Sequence, residues 1–129
     1  MTSWVVTVEP PRVLVVEDDD DLRGLIRAAL DDAGFAAFEA ADGAAALTAC
    51  SERDPDVVLL DLNLPRLGGQ AFAEAYRRGT GRAKIIVMSG AADGGEMSAR
   101  VQATVFLSKP FELEGLVGAV RRVLRPATA

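Results

Sequence analysis

The chain has 129 residues, half of them hydrophobic, which is enough for one domain with a proper core and excludes a disordered chain. Its formal net charge is −5 and its Lys and Arg are scattered, which argues against nucleic-acid phosphates as a direct partner. No run reaches the roughly 20 apolar residues that span a bilayer, and the N-terminus lacks the basic start and cleavage pattern of a signal peptide.

In chain order, residues 1–11 form an N-terminal extension that ends in Pro10-Pro11. It reads as a disordered tail, with a short strand using Trp4 and Val6 as the alternative. From residue 12 to 125 short apolar runs alternate with amphipathic stretches, the signature of βαβ units on a parallel sheet. Strands are predicted near 12–17, 35–39, 56–61, 84–88 and 104–107, and helices near 20–33, 43–52, 69–78, 94–101 and 112–124.

The first helix carries Leu22, Leu25, Ile26, Ala29, Leu30 and Ala33 at helical spacing, and Gly34 supplies its stop. Cys50 is the single cysteine; it excludes an internal disulfide, fits a reducing cytoplasm and reads as a packed residue of the second helix. Arg77-Arg78 and Arg121-Arg122 fall in last helical turns, where the helix dipole favours them. The fourth helix, opened by Gly94-Gly95, is expected to be short or irregular. The fifth helix carries Leu113, Leu116, Val117, Val120, Val123 and Leu124 on its inner stripe, and residues 126–129 form a short tail.

Five β-α pairs with right-handed crossovers predict a doubly wound α/β fold with a five-stranded parallel sheet of order 2-1-3-4-5. Ligands in such sheets sit beyond the carboxyl ends of the strands, between strands one and three. Val13-Leu14-Val15-Val16 ends there in Glu17-Asp18, and Val57-Val58-Leu59-Leu60 ends in Asp61, so three acids converge. Such carboxylates repel one another unless a cation sits among them, and a hard divalent ion such as Mg²⁺ suits oxygen donors. The chain has no His and one Cys, which argues against zinc. Asp19, Asp20 and Asp21 read instead as helix-capping residues.

An acid pocket with a metal and no histidine base suggests phosphoryl chemistry, in which an Asp carboxylate can itself be the nucleophile. Asp61 is the expected nucleophile, Ser89 would bring a hydroxyl from strand four, and Lys109 would bring an ammonium from the end of strand five. Lys109 is one of only two lysines, which favours a need for a compact point charge there.

From Arg12 to Leu124 the chain resembles the receiver domains of two-component response regulators, which share a flavodoxin-like fold. The resemblance rests on Val13-Leu14-Val15-Val16-Glu17-Asp18, on Asp61-Leu62-Asn63-Leu64-Pro65 with Gly69, on Met88-Ser89-Gly90 and on Lys109-Pro110-Phe111. It implies that Asp61 accepts a phosphoryl group from a sensor histidine kinase or a histidine phosphotransfer protein. It further implies that Asp18, Asp61 and the main-chain carbonyl of Asn63 bind Mg²⁺, with Glu17 acting through water. Ser89 and Lys109 would contact the phosphoryl oxygens, Ser89 and Phe106 would form the switch pair, and Lys109-Pro110 would be cis.

The chain departs from the family pattern at several positions. Glu17 replaces a more usual Asp, Phe106 lacks the hydroxyl of a frequent Tyr, and Gly68 stands where an Asp often precedes the matching glycine. Asn63 and Ala91 occupy positions expected to tune dephosphorylation. The expected protein is a cytoplasmic receiver, stand-alone if the chain is complete and otherwise a domain of a larger regulator or hybrid kinase, not an enzyme, a monomer or weak dimer that meets neither nucleic acid nor membrane. Its output would pass to an unidentified protein through the face of helix four, strand five and helix five. Two alternatives remain: a receiver-like scaffold not regulated by phosphorylation, and an Asp-based phosphatase or phosphotransferase. Against the second, Asn63 holds the place where such enzymes need an acid.

Overall fold

The computed structural model describes residues 9–64, 66–79, 81–90, 96, 99 and 102–125. Five strands, β1 (Arg12–Val16), β2 (Ala36–Ala40), β3 (Val57–Asp61), β4 (Lys84–Ser89) and β5 (Val105–Ser108), form one sheet of order β2-β1-β3-β4-β5. All four strand pairings are parallel, as the βαβ alternation predicts. Four helices are described over several turns: α1 (Asp20–Asp32), α2 (Gly43–Glu52), α3 (Gly69–Arg78) and α4 (Leu113–Leu124). The predicted boundaries hold to within a residue. The helix expected over 94–101 lies outside the described residues except for Glu96 and Ala99, both helical, and the expectations for residues 1–8 and 126–129 likewise lie outside them.

Alternation along the strands divides the core into two layers. Leu14, Val16, Phe38, Val58, Leu60, Ile85 and Val87 face α2 and α3, whereas Val13, Val15, Ala37, Val57, Leu59, Ile86 and Met88 face α1 and α4. With both faces covered, β1, β3 and β4 are apolar and buried between their ends, and buried polar side chains appear only where they reach their carboxyl ends, at Glu17, Asp61 and Ser89.

Local chemistry sets the helix ends. Asp19 and Asp42 cap α1 and α2 by accepting the Leu22 and Ala45 N–H groups at 3.1 and 2.8 Å. Gly34 follows α1 at φ +94°, a left-handed conformation that glycine adopts without strain. Arg77 and Arg78 occupy the last turn of α3, and Arg121 and Arg122 that of α4, as the dipole predicts. Burial and the nearby Asp54 push the Cys50 thiol up to about 11, which suits a packed and unreactive side chain.

One expected core residue is corrected. Leu25 is 57% exposed, because successive residues on a helix step by about 100° and Leu25 falls at the margin of the stripe centred on Ile26, Leu30 and Ala33.

The Tyr76 ring stacks on Phe72 with centroids 5.7 Å apart, and its hydroxyl accepts the buried Ala83 N–H at 3.0 Å. Tyr76→Phe leaves that N–H without an acceptor and is expected to cost about 1–3 kcal/mol in urea denaturation. Across the opposite layer, Arg23 and Arg27 on α1 both bind Glu39 on β2, at 3.1 and 2.7 Å. The Arg27 hydrogen bond, helped by Arg23 and opposed by burial, holds the Glu39 carboxyl below its ordinary value of 4.5. Its contribution to stability is therefore complete above pH 4.5 and is lost as the pH falls through the lower folded value. Glu39→Gln should flatten that acid limb of the stability curve and cost about 1 kcal/mol at neutral pH.

Candidate functional site

The carboxyl ends of β1, β3, β4 and β5 meet at one edge of the sheet. Glu17 and Asp18 directly follow β1, Asp61 closes β3, Ser89 closes β4 and Lys109 directly follows β5. Oxygen atoms of Glu17, Asp18 and Asp61 lie within 4.8 Å of one another, so the three predicted acids are together. Glu17 and Asp61 are buried and Asp18 is exposed.

The Lys109 Nζ sits between the two buried acids, 2.7 Å from Glu17 Oε1 and 3.3 Å from Asp61 Oδ2. Burial works to lower the Lys109 pKa, but the Glu17 hydrogen bond and the charges of both acids outweigh it and raise the value above 10.5. This pairing supports the fold fully below pH 10.5 and loses that contribution as the pH rises through the higher folded value. The second oxygen of each buried acid is also engaged. Asp61 Oδ1 accepts the Asn63 N–H at 3.0 Å, and Glu17 Oε2 accepts the Asp19 N–H at 3.1 Å. The extra methylene of Glu17 is accommodated in this way, with its carboxylate folded back over the following turn.

Ser89 is buried at the end of β4, in register with Ser108, and its carbonyl accepts the Lys109 N–H at 2.9 Å. The Lys109–Pro110 peptide is cis, as the resemblance implied. Gly69 opens α3 in a place where a Cβ would come within 2.8 Å of both the Asp61 carbonyl and the Leu62 Cα, so a side chain there would push the helix away from the site. Gly68, at the N-cap, leaves α3 without a side-chain cap. Phe106 is 37% exposed and pairs in register with Val87. Its neighbours Val105 and Leu107 pack toward α1 and α4.

One contact was not legible in the sequence. Arg23 Nη1 donates to the Glu17 carbonyl at 2.8 Å, while its Nε binds Glu39 and its Nη2 binds Asp20 at 2.6 Å. Asp20 and Arg23 three residues apart look like an ordinary surface pair, and no local pattern connects either to β2.

The response regulator receiver domain model matches residues 13–121. The chain belongs to this family. The receiver is 37% identical over 120 residues to the transcriptional regulatory protein PrrA of Mycobacterium tuberculosis, covering 92% of this chain and 52% of that protein. It is 32% identical over 120 residues to the DNA-binding dual master transcriptional regulator RpaA of Synechocystis sp., covering 89% of this chain and 49% of that one. Among solved structures, the chemotaxis protein CheY4 of Vibrio cholerae superposes with a TM-score of 0.83 at 31% identity, covering 89% of this receiver and 99% of that chain. The chain thus spans about half the length of the curated relatives it matches. One of these relatives is by name a DNA-binding regulator, so they lend no support to the expectation that nucleic acid plays no part. Among the described residues, no helix is long and apolar enough to cross a membrane.

The receiver's two buried acids depend on Lys109 for charge compensation. In EDTA, Lys109→Met is expected to cost about 2–3 kcal/mol, less than the roughly 3–5 kcal/mol of a fully buried ion pair, because the lysine side chain is 25% exposed. Adding Asp61→Asn to that background should recover part of the loss. Additive behaviour of the two changes in urea denaturation would show that Lys109 and Asp61 are not coupled.

Proposed function

We propose that Asp61 is the phosphoacceptor of a two-component switch, served by Mg²⁺. The reading is carried by one observation: a buried carboxylate at a strand tip shares an acid cluster with Glu17 and Asp18 and lies 3.3 Å from the Lys109 ammonium. The donor set fits the ion, since three carboxylates supply hard oxygen atoms within 4.8 Å of one another. Asp18, Asp61 and the Asn63 main-chain carbonyl are the proposed ligands, with Glu17 acting through water. When bound, Mg²⁺ supplies neutralisation of phosphoryl charge.

The chain's own residues do the rest. A carboxylate oxygen of Asp61 attacks the phosphorus of a phosphohistidine on a sensor histidine kinase or a histidine phosphotransfer protein. The phosphorus–nitrogen bond breaks, its electron pair stays on the imidazole, and the ring takes up a proton. The product is an acyl phosphate on Asp61. Lys109 holds an ammonium beside the phosphoryl oxygens, where fixed charge lowers the barrier without reorganisation. Ser89 offers its hydroxyl from the neighbouring strand, and with Phe106 forms the switch pair. An apolar depression lined by Leu22, Lys109, Pro110 and Phe111 adjoins Lys109 and gives a donor protein a surface to rest on.

On this reading the chain is a phosphoacceptor and not a turnover enzyme. It works in the cytoplasm as a monomer or weak dimer, with residues 12–125 as the receiver domain. Phosphorylation alters the face carrying the fourth predicted helix, β5 and α4, and so controls binding of a protein partner.

Incubation with acetyl phosphate and Mg²⁺ should add one phosphoryl group to the wild type, mapped to Asp61 by mass spectrometry, and none to Asp61→Asn. Loss of the adduct in EDTA is expected as well. Continuous release of phosphate with no adduct, or an adduct that survives Asp61→Asn, would overturn the assignment.

A further inference from the structure

We infer that Arg23 is a positioning residue for the acid site, acting through the main chain of Glu17. The inference rests on the reading of Asp61 and its neighbours as an Mg²⁺-assisted phosphoacceptor site. The peptide groups that carry Glu17 are held from two sides: its N–H donates to the Ala40 carbonyl at 3.1 Å, and its carbonyl accepts from Arg23 Nη1 at 2.8 Å. Every nitrogen of the Arg23 guanidinium has an acceptor, since Nε binds Glu39 at 3.1 Å and Nη2 binds Asp20 at 2.6 Å. The side chain is only 15% exposed.

The carbonyl bound by Arg23 belongs to the peptide that joins Glu17 to Asp18. Rotation of that peptide would move Asp18, the exposed member of the cluster, away from Asp61. Arg23 therefore fixes the direction in which a proposed metal ligand leaves β1. A planar fork that meets three acceptors in different directions is beyond a lysine ammonium on a flexible stem. Glu39 keeps the fork oriented from β2, and Asp20 does so from the first turn of α1. Partners that orient metal ligands without touching the ion commonly change metal affinity by 10–100-fold when removed.

The guanidinium is also a positive charge near a cation site, and that gives the test its sign. As a bare charge Arg23 would repel Mg²⁺, so Arg23→Gln would tighten binding and Arg23→Lys would leave it unchanged. As a positioning residue it favours Mg²⁺, so both variants bind more weakly. Mg²⁺ affinity is measured by titration calorimetry on the full chain, together with the Mg²⁺ concentration that half-saturates phosphorylation by acetyl phosphate. Both constants are expected to weaken by about 10-fold in Arg23→Lys and Arg23→Gln. Arg27→Gln, which removes a Glu39 partner but leaves the Glu17 carbonyl bound, should lower the melting temperature and leave both constants at the wild-type value.

Wild-type Mg²⁺ constants in Arg23→Lys overturn the inference, as does tighter binding in Arg23→Gln. An equal weakening in Arg27→Gln also overturns it, because the effect would then belong to the α1–β2 ion pairs in general. If Arg23→Gln fails to fold, Arg23→Lys decides. A wild type that neither binds Mg²⁺ nor accepts phosphate sinks the phosphoacceptor reading and this inference together. A wild type that does both while the Arg23 variants match it sinks only the inference.

Discussion

The Lys109 ammonium, shared between Glu17 and Asp61, is the interaction on which the rest of the site depends. Two carboxylates buried at adjacent strand ends would repel each other and lack water to solvate them. The sheet order brings the cure: β1 and β3 are neighbours, β4 lies beyond β3, and β5 delivers its following residue to the same edge. A charge that arrives from residue 109 to offset the repulsion between residues 17 and 61 ties the two ends of the domain together. The pairing therefore reports the fold as much as it serves the chemistry.

Around that ion pair the backbone is held closely while the rim is open. The Glu17 N–H and carbonyl, the Asp61 oxygens and the Ser89 carbonyl all have partners at hydrogen-bond distance. Gly69 lets α3 begin against the end of β3 without a gap. Asp18 and Phe106, in contrast, are exposed. Buried acids on a hydrogen-bonded floor beneath an exposed rim suit the proposed switch, because such a rim is the part a partner can meet.

Much of this was legible in the chain because the signals are local. Val57-Val58-Leu59-Leu60 followed by Asp61 names both a buried strand and its polar tip, and Asp19 with Leu22 names a cap. Five short apolar runs separated by amphipathic stretches left few sheets to consider. Leu25 was misplaced because a hydrophobic stripe has margins, and only packing decides which edge residue is covered. Arg23 was missed for a different reason. Its acceptors lie at Glu17 after β1, at Asp20 on α1 itself and at Glu39 on β2, and nothing short of the folded chain puts them around one guanidinium. Tyr76 likewise reads as one more apolar residue of α3 until its hydroxyl is found on the Ala83 N–H.

Glu17 shows how a departure from a family pattern can be absorbed by the structure around it. A carboxylate one methylene longer than Asp cannot sit where the shorter one would, and here it bends to bridge the Asp19 N–H and the Lys109 ammonium. Its Oε1 lies closer to Lys109 than Asp61 Oδ2 does, 2.7 against 3.3 Å. Glu17 thus takes the larger share of the lysine, and Asp61 keeps a looser hold on it. That division suits the proposed roles: the residue proposed to react is the one whose pairing with Lys109 is longer, while the residue proposed to act on the ion only through water has one oxygen on the ammonium and the other on the Asp19 N–H.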